Sequence, residues 1–333
     1  MRISTVTSNT MLETNVRSLQ KELSRIQQQV STGKIAEVYS GLGKEDARVS
    51  IRLRDTIDSR ESYIDSIKLT KTRMAVMDAA LLQMQDLTTE IRVKLIEQTQ
   101  GQFSSDLPIM RAFASSAIDR LASLLNSEIA GRYIFSGPAN GTEPVINADT
   151  MKTNFQAAVN STVAGGNSAN TILGNANTWF NTNTNWNRLN ALPTTNKTTI
   201  HSGTGLNTSY GEMAHQEIFA DLFEVLNIFA EVDIAAGSEA EYRSLVDTAR
   251  TTVETTFDSI GQKIAELGGV QQRLNLLEDE HRDTIVLLNE QLADIEDIDP
   301  FEAVNNFQIL RSQIETTYKV SGVSRGLSLV DFI

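Results

Sequence analysis

The sequence contains no cysteine, and this absence excludes thiol catalysis, disulfide frameworks, cysteine-based zinc sites and iron–sulfur clusters. Proline is scarce, with 5 residues in a chain of 333, and aromatic residues make up only 6%. Leucine, isoleucine, alanine, glutamine, glutamate and arginine fill the long stretches between the few breakers, a composition typical of helices. We therefore expect a mainly α architecture.

Long apolar runs are also missing. No stretch approaches the ~20 consecutive apolar residues of a membrane span, and the first residues do not show the basic region and apolar core of a cleaved signal peptide. The net charge of −13 disfavours nucleic acid as a ligand, because phosphate contacts require a basic surface. We expect no membrane partner and no nucleic-acid partner.

Motifs for catalysis are absent as well. The three histidines, His201, His215 and His281, lie far apart, and none has a second ligand at i+3 or i+4. The chain contains no HExxH, GxSxG, Walker A or GxGxxG pattern, so no motif supplies a nucleophile or a phosphate cradle. We expect a protein that is not an enzyme and that holds no metal or cofactor.

Charge is unevenly distributed along the chain. Residues 1–137 carry 18 basic and 16 acidic side chains, whereas residues 212–302 carry 5 basic and 22 acidic ones. Such an acidic segment indicates either solvated helix faces or a charged surface that steers a partner.

The two terminal segments have narrow apolar stripes. The first keeps a 4-3-4-3-4 spacing up to Gly33, which predicts a coiled-coil helix ending near that glycine. The last begins with Asp299 and Pro300, which predict an N-cap and a first helical turn, and it ends in an apolar tail from Leu327 to Ile333. The stripe residues are Leu12, Val16, Leu19, Leu23, Ile26 and Val30 in the first segment, and Val304, Phe307, Leu310, Ile314 and Val320 in the last.

Two segments of similar length, about 45–100 and 238–297, carry continuous helical periodicity. Because each stripe is too narrow to form a core alone, we expect an elongated antiparallel helical rod with added helices at about 107–130 and 214–235. The apolar phase continues across Gly268 and Gly269, so the second long helix should be continuous or slightly kinked there.

Residues 138–211 interrupt this pattern with a segment rich in asparagine, threonine, glycine and serine. Short apolar groups at 145–146, 171–173 and 198–200 predict strands, and we expect a small β- or loop-rich inserted domain. Trp179 and Trp186 are interpreted as core residues of this domain, although a sugar-binding platform is the alternative.

An antiparallel rod brings the chain near residue 40 and the chain near residue 300 to the same end, so the terminal helices should emerge side by side and be ordered by packing against other copies. We assign this assembly interface to Leu12, Leu19, Leu23, Ile26, Phe307, Leu310, Ile314 and Leu329. The expected divisions are 1–40 and 300–333 for the terminal helices of an inner-tube domain, 41–137 and 212–299 for the two halves of the rod, and 138–211 for the insertion.

Four stretches carry a resemblance to a known family. They are the start Met1-Arg2-Ile3-Ser4-Thr5, the run from Gln27 to Lys34, the run Asn126-Ser127-Glu128-Ile129-Ala130-Gly131-Arg132-Tyr133-Ile134-Phe135-Ser136-Gly137 and the end from Gly326 to Ile333. Together they resemble the bacterial flagellin superfamily and, within it, the hook-associated protein 3 family that forms the hook–filament junction. The similarity covers about 1–137 and 212–333.

The resemblance implies a structural subunit of the bacterial flagellum that assembles as a ring or short helical layer. It implies self-association, another hook-associated protein on the hook side, flagellin on the filament side, and an export chaperone on the C-terminal segment. It also implies an extracellular location reached through the flagellar type III apparatus with an uncleaved N-terminus. A filament-forming flagellin is the alternative interpretation, and a glycan-binding or enzymatic role of the insertion is a third.

Overall fold

The computed structural model describes residues 2–100, 103–162, 168–182, 185–189, 197–232 and 239–326. Helices dominate this part of the chain, which confirms the mainly α expectation. They are α1 (Arg2–Thr32), α2 (Lys44–Gln100), α3 (Phe103–Leu125), α4 (Ala148–Thr162), α5 (Ala169–Asn181), α6 (Glu217–Glu231), α7 (Glu239–Glu296) and α8 (Pro300–Gly326). Two antiparallel hairpins join β1 (Glu128–Ile129) to β2 (Arg132–Tyr133) and β3 (Thr198–Gly203) to β4 (Leu206–Tyr210).

The chain forms two compact units. One consists of Met1–Glu61 with Arg282–Ile333, and the other of Ser62–His281. The long helices α2 and α7 contribute a segment to each unit.

In the Ser62–His281 unit, α2 and α7 run antiparallel, as the matched periodicities predict. The Lys71 Nζ lies 3.0 Å from a Glu278 carboxylate oxygen, and the Tyr242 hydroxyl donates to Gln98 Oε1 at 2.6 Å. The predicted continuity of α7 through Gly268 and Gly269 is confirmed. The apolar stripes of both helices are buried in one core, which includes Ile67, Met74, Leu81, Met84, Leu87, Ile91, Leu95, Val253, Ile260, Leu267 and Leu274.

Helix α6 supplies the centre of this core. Ten of its residues are buried, among them Phe219, whose ring packs edge-on against Phe135 with 6.2 Å between the ring centroids. Helix α3 packs against α6, but its bounds differ from the sequence expectation. Pro108 lies inside α3 rather than near its first turn, because the helix already begins at Phe103.

The predicted helix through Ile129 is also corrected, since α3 ends at Leu125. The Asn126 backbone amide still donates to the Ala122 carbonyl at 2.9 Å. Its side chain then holds the following segment, donating to the Val145 carbonyl and accepting from the Val145 amide, each at 2.9 Å. The chain then turns between β1 and β2 at Ala130 and Gly131, which have φ values of 50° and 72°. Positive φ at both central residues suits a tight hairpin turn.

The segment 138–211 contains helices as well as strands. The prediction of a strand at 171–173 is wrong, because these residues lie in α5, where the Ser168 side chain caps the helix by accepting from the Thr171 amide at 3.3 Å. The strand predicted at 198–200 is confirmed as part of β3. Trp179 and Trp186 are both buried, which confirms their interpretation as core residues.

Candidate assembly surface

Helices α1 and α8 pack against each other in the unit that contains the chain ends. They run antiparallel, since Gly33 of the loop after α1 meets Ile298, whereas the Gln20 side-chain amide donates to the Tyr318 hydroxyl at 2.7 Å. Among their described side chains, only Ile26, Ala303 and Ile314 are buried. The pair therefore shields little apolar surface from water by itself.

An open groove of about 550 Å³ lies between the two helices. Its apolar wall is formed by Leu12 and Leu19 from α1 and Val320 from α8. Short polar side chains complete the lining, namely Asn15, Ser18, Ser312, Gln313, Thr316 and Thr317. A groove of this size with small polar edges can accept the apolar face of another helix.

Large apolar side chains also lie on the outer faces of this helix pair. Phe301 is 89% exposed and Met11 is 68% exposed. Val30, Val304, Ile309 and Tyr318 are exposed as well. An exposed apolar surface of this extent, together with the groove, is typical of a protein–protein contact.

The residues assigned to the interface from sequence fall into three groups. Leu12, Leu19, Leu23, Phe307 and Leu310 are half-buried, so part of each side chain remains available. Ile26 and Ile314 are buried within the described chain. Leu329 lies outside the described residues.

The connections to α1 and α8 meet, which confirms that the chain near residue 40 approaches the chain near residue 300. The Ile35 amide donates to the Glu296 carbonyl at 2.7 Å, and the Ile298 amide donates to the Gly33 carbonyl at 3.0 Å. Gly33 has a φ of 73°, a left-handed conformation that ends α1 and favours glycine. Asp299 caps α8 by accepting from the Phe301 amide at 2.8 Å, as predicted.

The Glu296 carboxylate, at the end of α7, binds side chains of α2 and of the connection after α1. Glu296 was not identified from the sequence. Arg54 donates to it through two nitrogens at 3.1 and 2.6 Å, Lys34 Nζ lies 3.4 Å away, and the Ser50 hydroxyl also donates. These donors, with the Arg54 hydrogen bonds first, lower the pKa of Glu296 to about 2. Lys34 pairs in addition with Asp297 at 2.5 Å.

The run from Gly131 to Gly137 has a structural role in the other unit. The Phe135 carbonyl accepts from the Ala214 amide at 2.9 Å, and the Ser136 hydroxyl donates to the Tyr133 carbonyl at 2.9 Å. The run therefore secures the chain that returns after the β3–β4 hairpin.

The histidines do not form a common site. His201 is exposed, and His281 is buried with its Nε2 2.7 Å from the Ser202 carbonyl. Burial lowers the pKa of His215, which disfavours its charged form. No group of three or more potential metal ligands occurs within the described residues. None of the described helices has the length and apolar character needed to cross a membrane.

Comparison with known proteins agrees with this geometry. The bacterial flagellin N-terminal helical region matches residues 3–140, and the bacterial flagellin C-terminal helical region matches residues 250–325. Comparison with curated protein sequences gives no significant match.

A solved structure from Vibrio parahaemolyticus, named as that of a flagellar hook-associated protein, has a similar fold. The TM-score is 0.53 at 14% sequence identity, and the similarity covers 76% of this chain and 98% of that one. The two family matches together span most of the chain and include both terminal helices. The chain therefore belongs to the bacterial flagellin superfamily, whose members are structural subunits that self-assemble into extracellular flagellar polymers.

Proposed function

We propose that this chain is the subunit that joins the flagellar hook to the filament, assembling as a ring or short helical layer through α1 and α8. The observation that carries the proposal is the helix pair itself, which leaves an open groove and a row of exposed apolar side chains in a single copy. Copies that pack together would cover both. A tube of identical subunits also presents different surfaces at its two ends, as a junction requires.

The hook-associated assignment rests on two further points of support. The run Gly131-Arg132-Tyr133-Ile134-Phe135-Ser136-Gly137 resembles the hook-associated protein 3 family. The similar structure from Vibrio parahaemolyticus bears a hook-associated name. We therefore propose another hook-associated protein as the partner on the hook side and flagellin as the partner on the filament side.

Export would follow the flagellar type III route with an uncleaved N-terminus, and a chaperone would hold the C-terminal segment. Support comes from α8, where Phe301, Val304, Ile309 and Tyr318 are exposed in a single copy. Such a surface needs a cover before assembly, because free apolar patches promote aggregation.

Deletion of the gene tests the junction role. We expect cells with hooks but without filaments, and flagellin monomers in the medium. Electron microscopy of the cells and analysis of the culture supernatant measure both outcomes. Complementation with the intact gene should restore filaments and is the control.

A filament-forming flagellin is the alternative, because both family matches lie in the helical regions that flagellins themselves possess. On this alternative, deletion either removes the main filament protein or leaves a filament that lacks this subunit. In both cases the hooks can still accept other flagellin. Either result contradicts the junction role. The glycan-binding alternative loses its motivation, because the Trp186 Nε1 donates to the Phe180 carbonyl inside the core and Trp179 is buried beside it.

A further inference from the structure

In the unit formed by Met1–Glu61 and Arg282–Ile333, the outward face of α7 carries both acidic and apolar side chains. Asp283, Leu287, Glu290 and Asp294 follow an i, i+4, i+7, i+11 spacing, and Val286 lies among them. Val286 is 68% exposed and Leu287 is 54% exposed. At about 100° per residue this face is opposite the buried Leu292, which is nine residues beyond Asp283.

Helix α2 has an outward face of complementary character in the same unit. Arg48, Ile51 and Arg52 follow an i, i+3, i+4 spacing, and Val49 borders them. Ile51 is 43% exposed and Val49 is 40% exposed. This face is opposite the buried Ile57, which is nine residues beyond Arg48.

The charges on these two faces are available for a partner. Among the described residues, Arg52, Asp283, Glu290 and Asp294 take part in no ion pair. Arg48 makes one exposed contact with Glu45 at 3.3 Å, and such a surface pair is worth only about 0–1 kcal/mol. The outward faces of α2 and α7 in this unit thus carry opposite charges, and each also has exposed apolar side chains.

We propose that the acidic face of α7 in one copy binds the basic face of α2 in the next copy. Arg48 and Arg52 are one helical turn apart, and so are Glu290 and Asp294, so both charge pairs can form at once with antiparallel helices. In this register Ile51 lies opposite Gln291. Asp55 lies on the same face of α2 one turn beyond Arg52 and falls opposite Leu287, so the contact ends there.

This contact is heterologous, because each copy contributes its α2 face to one neighbour and its α7 face to the other. A repeated heterologous contact closes into a ring or continues as a helix. The inference rests on the proposed self-assembly and adds a second contact to the one made by α1 and α8.

Disulfide trapping tests the contact in the full chain, which has no cysteine of its own. In an Ile51→Cys/Gln291→Cys double variant, which places the two thiols at facing positions, mild oxidation should give a ladder of covalent dimers, trimers and larger species. Each single variant should give none, because like positions do not meet. A Leu82→Cys/Gln291→Cys variant places one thiol at an exposed apolar position elsewhere on α2 and should also give none.

Charge reversal supplies an independent test. Arg48→Glu/Arg52→Glu and Glu290→Arg/Asp294→Arg should each lower the cross-linked fraction at least tenfold when introduced into the cysteine pair. An equimolar mixture of the two reversed chains should recover cross-linking, because one then has two acidic faces and the other two basic ones. Lys68→Glu/Arg250→Glu makes the same charge change elsewhere and should leave the ladder intact.

The proposed contact is wrong if the cysteine pair gives no ladder of cross-linked species, or gives no more than the Leu82 control. It is also wrong if mixing the two charge-reversed chains does not restore cross-linking. These results are separable from the junction role. If gene deletion removes the filament but the cysteine pair gives no ladder, the junction role is supported and this contact is wrong. If the ladder forms but deletion leaves the filament intact, the contact is supported and the junction role is wrong.

Discussion

Glu296 shows how one side chain can hold several elements together. Its carboxylate accepts from Ser50 and Arg54 on α2 and from Lys34 in the connection after α1. Its pKa is lowered from 4.5 to about 2, so the folded chain favours the charged form. The stability from this shift is fully present above pH ~4.5 and is lost as the pH falls toward 2.

The Glu296→Gln variant should lose about 2 kcal/mol of unfolding free energy at pH 7, because the charge-assisted bonds weaken and Arg54 loses its carboxylate partner. Urea unfolding followed by circular dichroism measures the change. Glu97→Gln, which removes an exposed i,i+3 partner of Lys94 at 2.7 Å, should cost less than ~0.5 kcal/mol. Equal losses in the two variants would show that the Glu296 cluster is no stronger than a surface pair.

Glu224 on α6 has the opposite shift. Burial, opposed by a hydrogen bond from Asn177 and assisted by Asp221, raises its pKa from 4.5 to about 7. Burial first, and then Glu217, raises the pKa of Asp221 to about 6. The folded chain therefore binds protons that the unfolded chain has released, and stability falls as the pH rises from about 4.5 through 7.

Glu224→Gln should remove part of this pH dependence. We expect a gain of about 1 kcal/mol at pH 8, after allowance for partial solvent screening, and little change at pH 5. Urea titrations at the two pH values measure it. Glu254→Gln changes an exposed carboxylate on α7 and should show no such difference; a gain at pH 5 as large as that at pH 8 would contradict the titration of Glu224.

At the scale of elements, clear apolar periodicity made the long helices and α6 predictable, whereas α4 and α5 were not predicted. Helix α5 does have buried residues at i, i+4, i+7 and i+8 from Ile172, but asparagine and threonine fill the positions between them and resemble loop composition. Helix α3 begins at Phe103, so Pro108 lies inside it, although a proline is expected near the first turn of a helix.

The assembly surface was predictable only in part, for a related reason. The stripes of α1 and α8 are local patterns, so Leu12 and Leu19 could be assigned from spacing and do line the groove. The Glu296 cluster joins residues more than 240 positions apart, and no local sequence pattern predicts such a contact. Hydrogen bonding between distant segments becomes visible only once the fold has brought them together.

Helices α1 and α8 should be the least stable elements of a single copy. Only Ile26, Ala303 and Ile314 are buried among their described side chains. We expect fast amide exchange in about 1–35 and 305–333, and slow exchange in about 50–130 and 240–295. Hydrogen exchange with mass spectrometry on a verified monomer measures this contrast, and strong protection of both terminal helices there would contradict it.

At the scale of the whole molecule, the two units have different tasks in the proposed function. The Ser62–His281 unit contains the large core, whereas the unit with the chain ends presents the groove and the exposed apolar faces. Variants in the groove should therefore separate assembly from folding.

Leu19→Asp should abolish assembly, because it places a charge in the apolar wall of the groove where a neighbouring copy would pack. The unfolding midpoint of the monomer should change little, since Leu19 is only half-buried in a single copy. Lys21→Asp also introduces an aspartate on α1, at an exposed position two residues away, and should still assemble. Sedimentation velocity of the full chain measures assembly, and thermal unfolding measures the fold. If Leu19→Asp assembles as well as Lys21→Asp, the groove does not receive the neighbouring copy, and the apolar outer faces of α1 and α8 would have to account for the association.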